Sequence, residues 1–220
     1  QDAQPTPLGQ AASGDGYSRG TFTAAHLAEF IRYLGFNAIP AVNQTGLSVP
    51  QAIDAGLGEL GRMGILITPK YGPRVRLAKV ITDMPLATDK PISFGVKEFC
   101  DVCGKCAKHC PSQAIQFEGQ TMEAVNISTS PGVMKWPIDS EKCFTGWNMA
   151  GGDCGKCITV CPFNKPEGWL HEVTRILIGA ESGSVDKLLL NLDDAAGYGD
   201  SNPKVEKFWK SDNFVHIKPN

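Results

Sequence analysis

Eight cysteines fall between Cys100 and Cys161, and the flanks on either side contain none. The first four, Cys100, Cys103, Cys106 and Cys110, are followed by Pro111 and read C-x2-C-x2-C-x3-C-P, the bacterial ferredoxin run. The second group is Cys143, a gap of ten residues, then Cys154, Cys157 and Cys161 with Pro162. Its last three cysteines keep the C-x2-C-x3-C-P spacing, and an inserted loop displaces the first. Two-residue gaps turn successive thiolates toward one cubane while the N–H groups of the same turn point at its sulfurs. In two-cluster ferredoxins the fourth cysteine of a run crosses to the other cluster. The spacing therefore predicts two [4Fe–4S] clusters, one on Cys100, Cys103, Cys106 and Cys161, the other on Cys143, Cys154, Cys157 and Cys110. Neighbouring one-electron centres form a wire for low-potential electrons. Zinc usually takes its cysteines in C-x2-C pairs, and disulfide scaffolds are short and spread theirs widely, so both fit the pattern less well.

Composition excludes some partners. The 21 basic and 23 acidic residues leave a formal net charge of -2 with no long run of either sign, which argues against a nucleic-acid surface or a polybasic membrane anchor. No apolar stretch approaches the roughly 18 residues of a membrane span, and the polar start, Gln1 to Gly16, lacks the pattern of a signal peptide. Localisation is therefore not legible in the residues. A first residue of Gln rather than Met suggests a processed or trimmed chain or, the favoured reading, a piece of something longer.

Ahead of the cysteines, helix and strand signals alternate, predicting an α/β unit. Gln1 to Gly20 reads as loop. A helix follows, capped by Thr21 or Thr23, with Ala24, Leu27, Phe30, Ile31 and Leu34 on one face and Gly35 as its stop. Phe36 to Ile39 reads as a strand ended by Pro40. Ser48 and Pro50 start a helix over Gln51 to Leu60, and Ile65 to Thr68 and Val75 to Thr82 read as strands. From Phe99 to Phe163 the apolar content falls and only short helices beside the cysteines are expected. Beyond, Glu167 to Ile178 predicts a helix with Leu170, Val173, Thr174 and Leu177 on one face. Val185 to Leu192 predicts another, and the tail from Asp193 is expected to wrap the surface. The expected division is an α/β unit over 1–95, a two-cluster ferredoxin-like domain over 96–166, and helices and tail over 167–220 packing back on the core.

A plain ferredoxin needs far less chain than the 99 residues that precede Cys100. Those residues carry Gly56-Leu-Gly-Glu-Leu-Gly-Arg-Met-Gly64, Tyr71-Gly-Pro-Arg-Val-Arg76, Thr82-Asp-Met-Pro-Leu86 and Pro91-Ile-Ser-Phe-Gly95. Together with the displaced Cys143, Gly151-Gly-Asp-Cys154 and Cys161-Pro-Phe-Asn-Lys165, this order of blocks resembles the C-terminal half of the corrinoid-dependent reductive dehalogenases, from about Tyr17 to Tyr198. The resemblance implies a nitroreductase-like α/β unit that binds a cobamide, followed by the ferredoxin-like two-cluster domain. It implies an oxidoreductase that replaces the halogen of a small organohalide by hydrogen. The family's proton-donating tyrosine, its neighbouring arginine and a pocket-shaping asparagine fall on Tyr17, Arg76 and Asn43. A guanidinium beside a phenol favours the phenolate and so eases proton donation. Taken alone, these residues read as a loop cap, an outward strand residue and a turn residue.

The glycines Gly56, Gly58, Gly61 and Gly64 suit close approach, either to the corrinoid or between helix and strand. No D-x-H-x-x-G motif occurs, so a cobamide without a protein histidine on cobalt is expected, and His26 and His109 read as solvated or packed. The resemblance further implies a low-potential donor (ferredoxin, flavodoxin or a quinol chain), a possible membrane anchor protein, and an exported, membrane-peripheral location. Family members are typically about twice this long. Two rivals remain open: an epoxyqueuosine-reductase-like corrinoid and iron–sulfur enzyme, and a non-catalytic two-cluster electron carrier.

Overall fold

The structure, a computed structural model, describes residues 7–164, 168–179 and 183–197. The expectations for 165–167 and for the tail beyond 197, including Tyr198, lie outside the described residues, as does the side chain of Leu170.

Helix α1 runs from Pro7 to Tyr33, so the segment expected to be loop is helical well before Thr21. Its glycines and small polar residues give little intrinsic helix preference, and tertiary contacts supply what propensity lacks. Gln10 Nε2 donates to the Gly151 carbonyl at 3.0 Å, and Ser13 Oγ to Asp153 Oδ2 at 2.7 Å. Thr21 is no cap: its hydroxyl donates back to the Tyr17 carbonyl at 2.9 Å, inside the helix. The buried face also differs from the expected one. Ala24, Ala28 and Ile31 are buried, whereas Leu27, Phe30 and Leu34 are exposed, because small residues let the helix lie close on the sheet.

That sheet pairs β1 (Ala38–Ala41) antiparallel with β4 (Lys79–Thr82), Ile39 opposite Ile81. Asn37 fixes its end, its amide and side chain both donating to the Asp83 carboxylate at 2.8 and 2.6 Å. Ala28, Ile31 and Ala38 form a small core with Phe36, Val80 and Met84. Between the strands, α2 (Ser48–Asp54) is shorter than expected because Gly56 turns left-handed, and β2 (Glu59–Leu60) takes over where the helix was expected to continue. β2 pairs antiparallel with β3 (Leu66–Ile67). Residues 75–78, expected to be strand, run irregularly to β4. The helix–strand alternation is present, but its strands form two small antiparallel pairs.

The cysteine segment carries α3 (Val96–Cys103), α4 (Lys105–Lys108), α5 (Ser140–Ala150) and α6 (Lys156–Thr159). α4 and α6 are the same device used twice. Each is a single turn preceded by a left-handed glycine, Gly104 or Gly155, inside Cys-Gly-Lys-Cys, and the two turns pack together. A side chain at either glycine would be strained, so the backbone reversal that aims two thiols inward requires this residue. α7 (Trp169–Ile178) and α8 (Gly183–Ala195) follow. Along α7, Val173 and Leu177 are exposed, whereas Ile178, outside the expected face, is buried.

The main core joins both sides of the expected boundary at 95. Met63 and Ile67 pack with Val96, Phe99, Trp136, Ile158 and Phe163. Phe163 stands edge-on to Phe99 and Phe94, with centroids 5.5 and 6.3 Å apart. Burying such aromatics contributes about 1.5–3 kcal/mol each. They seal the space around the cysteines.

Candidate metal centres and the adjoining cavity

The eight cysteines form two sets. Cys100 and Cys103 on α3, Cys106 on α4 and Cys161 after α6 line one small recess with Phe99, Arg62, Lys105 and Phe163. Cys110, Cys143 on α5, Cys154 and Cys157 on α6 line the wall of a larger cavity. The last cysteine of each run thus stands with the other run. None of the eight is paired in a disulfide. Among the described residues, no three or more of His, Cys, Asp and Glu are grouped to hold a single metal ion.

Burial makes Cys100, Cys103, Cys106, Cys143, Cys157 and Cys161 hard to ionise, and the charges of neighbouring cysteines add to this at all of them but Cys103. Cys106 and Cys157 are pushed up to about 12, and Cys100 and Cys161 rise further still. Cys157 feels Cys106 as well as Cys110, Cys143 and Cys154, so the two sets are adjacent. Cys110 moves the other way. Burial raises it, but the Ser112 hydroxyl at 3.5 Å and the Ala114 amide at 3.3 Å, with other backbone N–H groups, bring it below its ordinary value. Four thiolates in one apolar recess are stable only beside a strong positive centre, and bound iron supplies one.

Cys143, displaced in sequence, is placed by its helix start. Asp139 caps α5, its Oδ1 accepting from the Lys142 amide at 3.0 Å and from Asn126 Nδ2 at 2.8 Å. The segment between Cys110 and Cys143 is tied back by the Ile115–Ile138 bridge, and its Trp136 is fully buried.

The larger cavity is about 450 Å³, within the size range of small-molecule and cofactor sites, and mostly apolar. Tyr17 of α1, Asn43 of the β1–α2 loop and Arg76 all line it, together with Trp147 and the second set of cysteines. The Arg76 guanidinium carbon lies 5.1 Å from the Tyr17 ring centroid, a cation over an aromatic face. Its Nη2 donates to Ser13 Oγ at 2.9 Å, and Ser13 in turn donates to Asp153, so a carboxylate balances the arginine through one hydroxyl. Arg76 Nε is buried with no hydrogen-bond partner, a donor left over at the cavity wall. Gly16 makes this crossing possible: a Cβ there would stand 3.1 Å from Arg76 Cγ.

Gly56, Gly58, Gly61 and Gly64 do not line the cavity. Cβ atoms there would meet the Lys90 carbonyl, the Ile67 carbonyl, the Ile67 side chain and the Ile138 side chain respectively. The close approach at this segment is protein against protein, and its contribution to the wall comes through Met63, Ile65 and Leu66. His26 lies exposed on α1 with its ring against the Phe22 carbonyl, and His109 ends α4; neither lines the cavity or the recess. Sequence reasoning missed Ser13 and Asp153. Their only signals were the i, i+4 spacing of Ser13 and Tyr17, visible once this stretch is helical, and the place of Asp153 before Cys154.

Fold and site together define an iron–sulfur protein whose cysteine-bearing segment forms one wall of a cofactor-sized cavity. The family model for 4Fe-4S dicluster domains matches residues 99–165. The chain is homologous to the reductive dehalogenases. It is 47% identical over 195 residues to a tetrachloroethene reductive dehalogenase of Sulfurospirillum multivorans, an alignment covering 89% of this chain and 39% of that protein. A solved reductive dehalogenase, whose structure was used to suggest a mechanism for B12-dependent dehalogenation, superposes with a TM-score of 0.75 at 31% identity, covering 87% of this chain and 27% of that one. An epoxyqueuosine reductase of Listeria monocytogenes is 32% identical over 111 residues, 50% of this chain and 28% of that protein. The chain thus spans well under half the length of these relatives.

Proposed function

We propose that this chain carries electrons through two [4Fe–4S] clusters to a corrinoid and takes part in the reductive dehalogenation of a small organohalide. Cys100, Cys103, Cys106 and Cys161 hold the first cluster, and Cys143, Cys154, Cys157 and Cys110 the second. The observation that carries the reading is a single cavity bordered on one side by the second set of cysteines and on another by Tyr17, Arg76 and Asn43. The orphaned Arg76 Nε and the apolar wall of Met63, Ile65, Leu66 and Ile158 fit a large, mostly apolar group with polar edges. A corrinoid bound there supplies low-valent cobalt able to cleave a carbon–halogen bond. In the balanced reaction two electrons and one proton convert R–X to R–H and halide.

The protein's share is to place the substrate and deliver the proton. Tyr17 donates its phenolic proton toward the substrate carbon. Arg76 keeps its charge through the cycle and stabilises the phenolate left behind, held in place by Ser13 and Asp153. Asn43 offers an amide to shape the pocket. The apolar wall excludes water, which strengthens each of these interactions. The electrons come from a low-potential donor, and the family resemblance supports an exported enzyme lying on the membrane. Among the described residues no helix is long and apolar enough to cross a bilayer.

The test is anaerobic reconstitution with iron, sulfide and a cobamide, followed by turnover assays on organohalides and on an epoxyqueuosine substrate. About eight irons per chain, one cobalt and halide release are expected. Iron without cobalt would leave an electron carrier. Activity on the epoxide alone would move the chain toward the second family.

A further inference from the structure

Arg62 sits in the turn between β2 and β3 and is 4% exposed. Its guanidinium lies over the Trp136 ring, 5.1 Å from the centroid, and its Nε and Nη1 donate to carbonyl oxygens. Nε reaches Cys100 at 3.1 Å, and Nη1 fans across Gln116, Phe117 and Glu118 at 3.0, 3.1 and 2.9 Å. Among the described residues no carboxylate pairs with it. A buried cation without a counter-charge is costly, and carbonyl dipoles offset only part of that cost. The charge needs an anion, and the recess whose wall Arg62 forms is that of Cys100, Cys103, Cys106 and Cys161. The other cation of that wall is already neutralised: Lys105 is ion-paired with Asp193 and, at 2.7 Å, with Asp194. Arg62 is thus the uncompensated positive charge beside this set of thiols.

We infer that Arg62 is a charge-setting, positioning residue for the first cluster, holding its reduction potential above the value the site would otherwise impose. The inference rests on the reading that these four cysteines hold a [4Fe–4S] cluster. Reduction adds one electron from the external low-potential donor and makes the cluster more negative, and a fixed neighbouring cation favours that state. Arginine does not release its proton, so the effect persists at any working pH. The same charge favours the thiolate at Cys100, Cys103 and Cys106, which is the direction ligation requires. The physical consequence is a first cluster that fills readily from the donor side.

The test is an EPR-monitored redox titration of the anaerobically reconstituted wild type, Arg62→Gln and Arg62→Lys, each first analysed for iron. Arg62→Gln should lower one of the two midpoint potentials by at least a tenfold change in equilibrium constant, which is 59 mV for one electron, with the other within twofold of wild type. Arg62→Lys keeps the charge while losing the fan of hydrogen bonds. Its midpoints should stay within about twofold of wild type even though its Tm falls. Two unmoved midpoints in Arg62→Gln would overturn the inference, as would a shift in Arg62→Lys as large as the tenfold change. Should Arg62→Gln fail to hold eight irons, Arg62→Lys decides by the same criterion. Wild type with about four irons or fewer would sink the two-cluster reading itself, a result distinct from eight irons with unmoved midpoints.

Discussion

The two sets of cysteines are built from the same Cys-Gly-Lys-Cys turn, yet their surroundings are opposite. The first is closed: Cys100, Cys106 and Cys161 are buried, Phe99 and Phe163 seal it, and Lys105 is clamped by α8. The second is open: its cysteines are half-buried and face a cavity that also holds Tyr17 and Arg76. One turn repeated in sequence therefore yields a sheltered centre and one that borders the chemistry. The displaced Cys143 belongs to the difference, since its loop and α5 bring Trp147 to the same cavity.

That contrast is sharpest at Tyr17. Tyr17→Phe should lower turnover by about 10²–10⁴-fold, the usual worth of a positioned acid, while iron and cobalt content stay unchanged; wild-type rates would remove Tyr17 from the reaction. Ser13→Ala cuts the link from Arg76 to Asp153 on the open side. A hydrogen bond to a charged group contributes about 1.5–3 kcal/mol, so kcat should fall about tenfold or more, with both cluster potentials unmoved. A shifted potential would place Ser13 in support of the cysteines instead.

Smaller effects concern folding. Asp139→Ala removes the cap of α5 and should lower Tm by roughly 2–4 °C, with any lost iron coming from the second cluster. Equal loss from both clusters would erase the distinction drawn between them. On the closed side, Asp186 of α8 is fully buried with both oxygens unpartnered, beside Glu98 of α3. Burial, and then the Glu98 charge, hold its carboxyl above the ordinary 3.8. The folded state therefore binds this proton more tightly than the unfolded state, and stability is lost as pH rises from the unfolded value through the raised one. Asp186→Asn should raise Tm by roughly 1–2 °C at neutral pH, and the gain should shrink on acidification; a gain constant with pH would assign it to packing.

The cysteine sets were legible because cluster ligation imposes fixed spacing on neighbouring residues, and spacing survives in one dimension. The short helices around them followed from the same constraint. The first half of α1 was not legible. Its glycines and serine oppose a helix locally, and the partners that hold it, Gly151, Asp153 and Arg76, lie far along the chain. Family resemblance marked Tyr17, Asn43 and Arg76, and the fold places all three on one cavity. The glycine block was read as a possible cofactor contact, but glycine signals only that something comes close, and here it is Ile67, Ile138 and the backbone at Lys90. Arg62 sat inside that block unnoticed, because burial of a charge cannot be seen until Trp136 and the carbonyls of 116–118 are brought to it.

The proposed electron transfer depends most on two iron cubes held side by side by interleaved cysteines. Its most direct test is metal analysis joined to EPR of the dithionite-reduced, anaerobically reconstituted protein. About eight irons and eight sulfides per chain, with a spectrum broadened by coupling between two neighbouring clusters, are predicted. Four irons or fewer, zinc in their place, or two clusters with no magnetic interaction would contradict it.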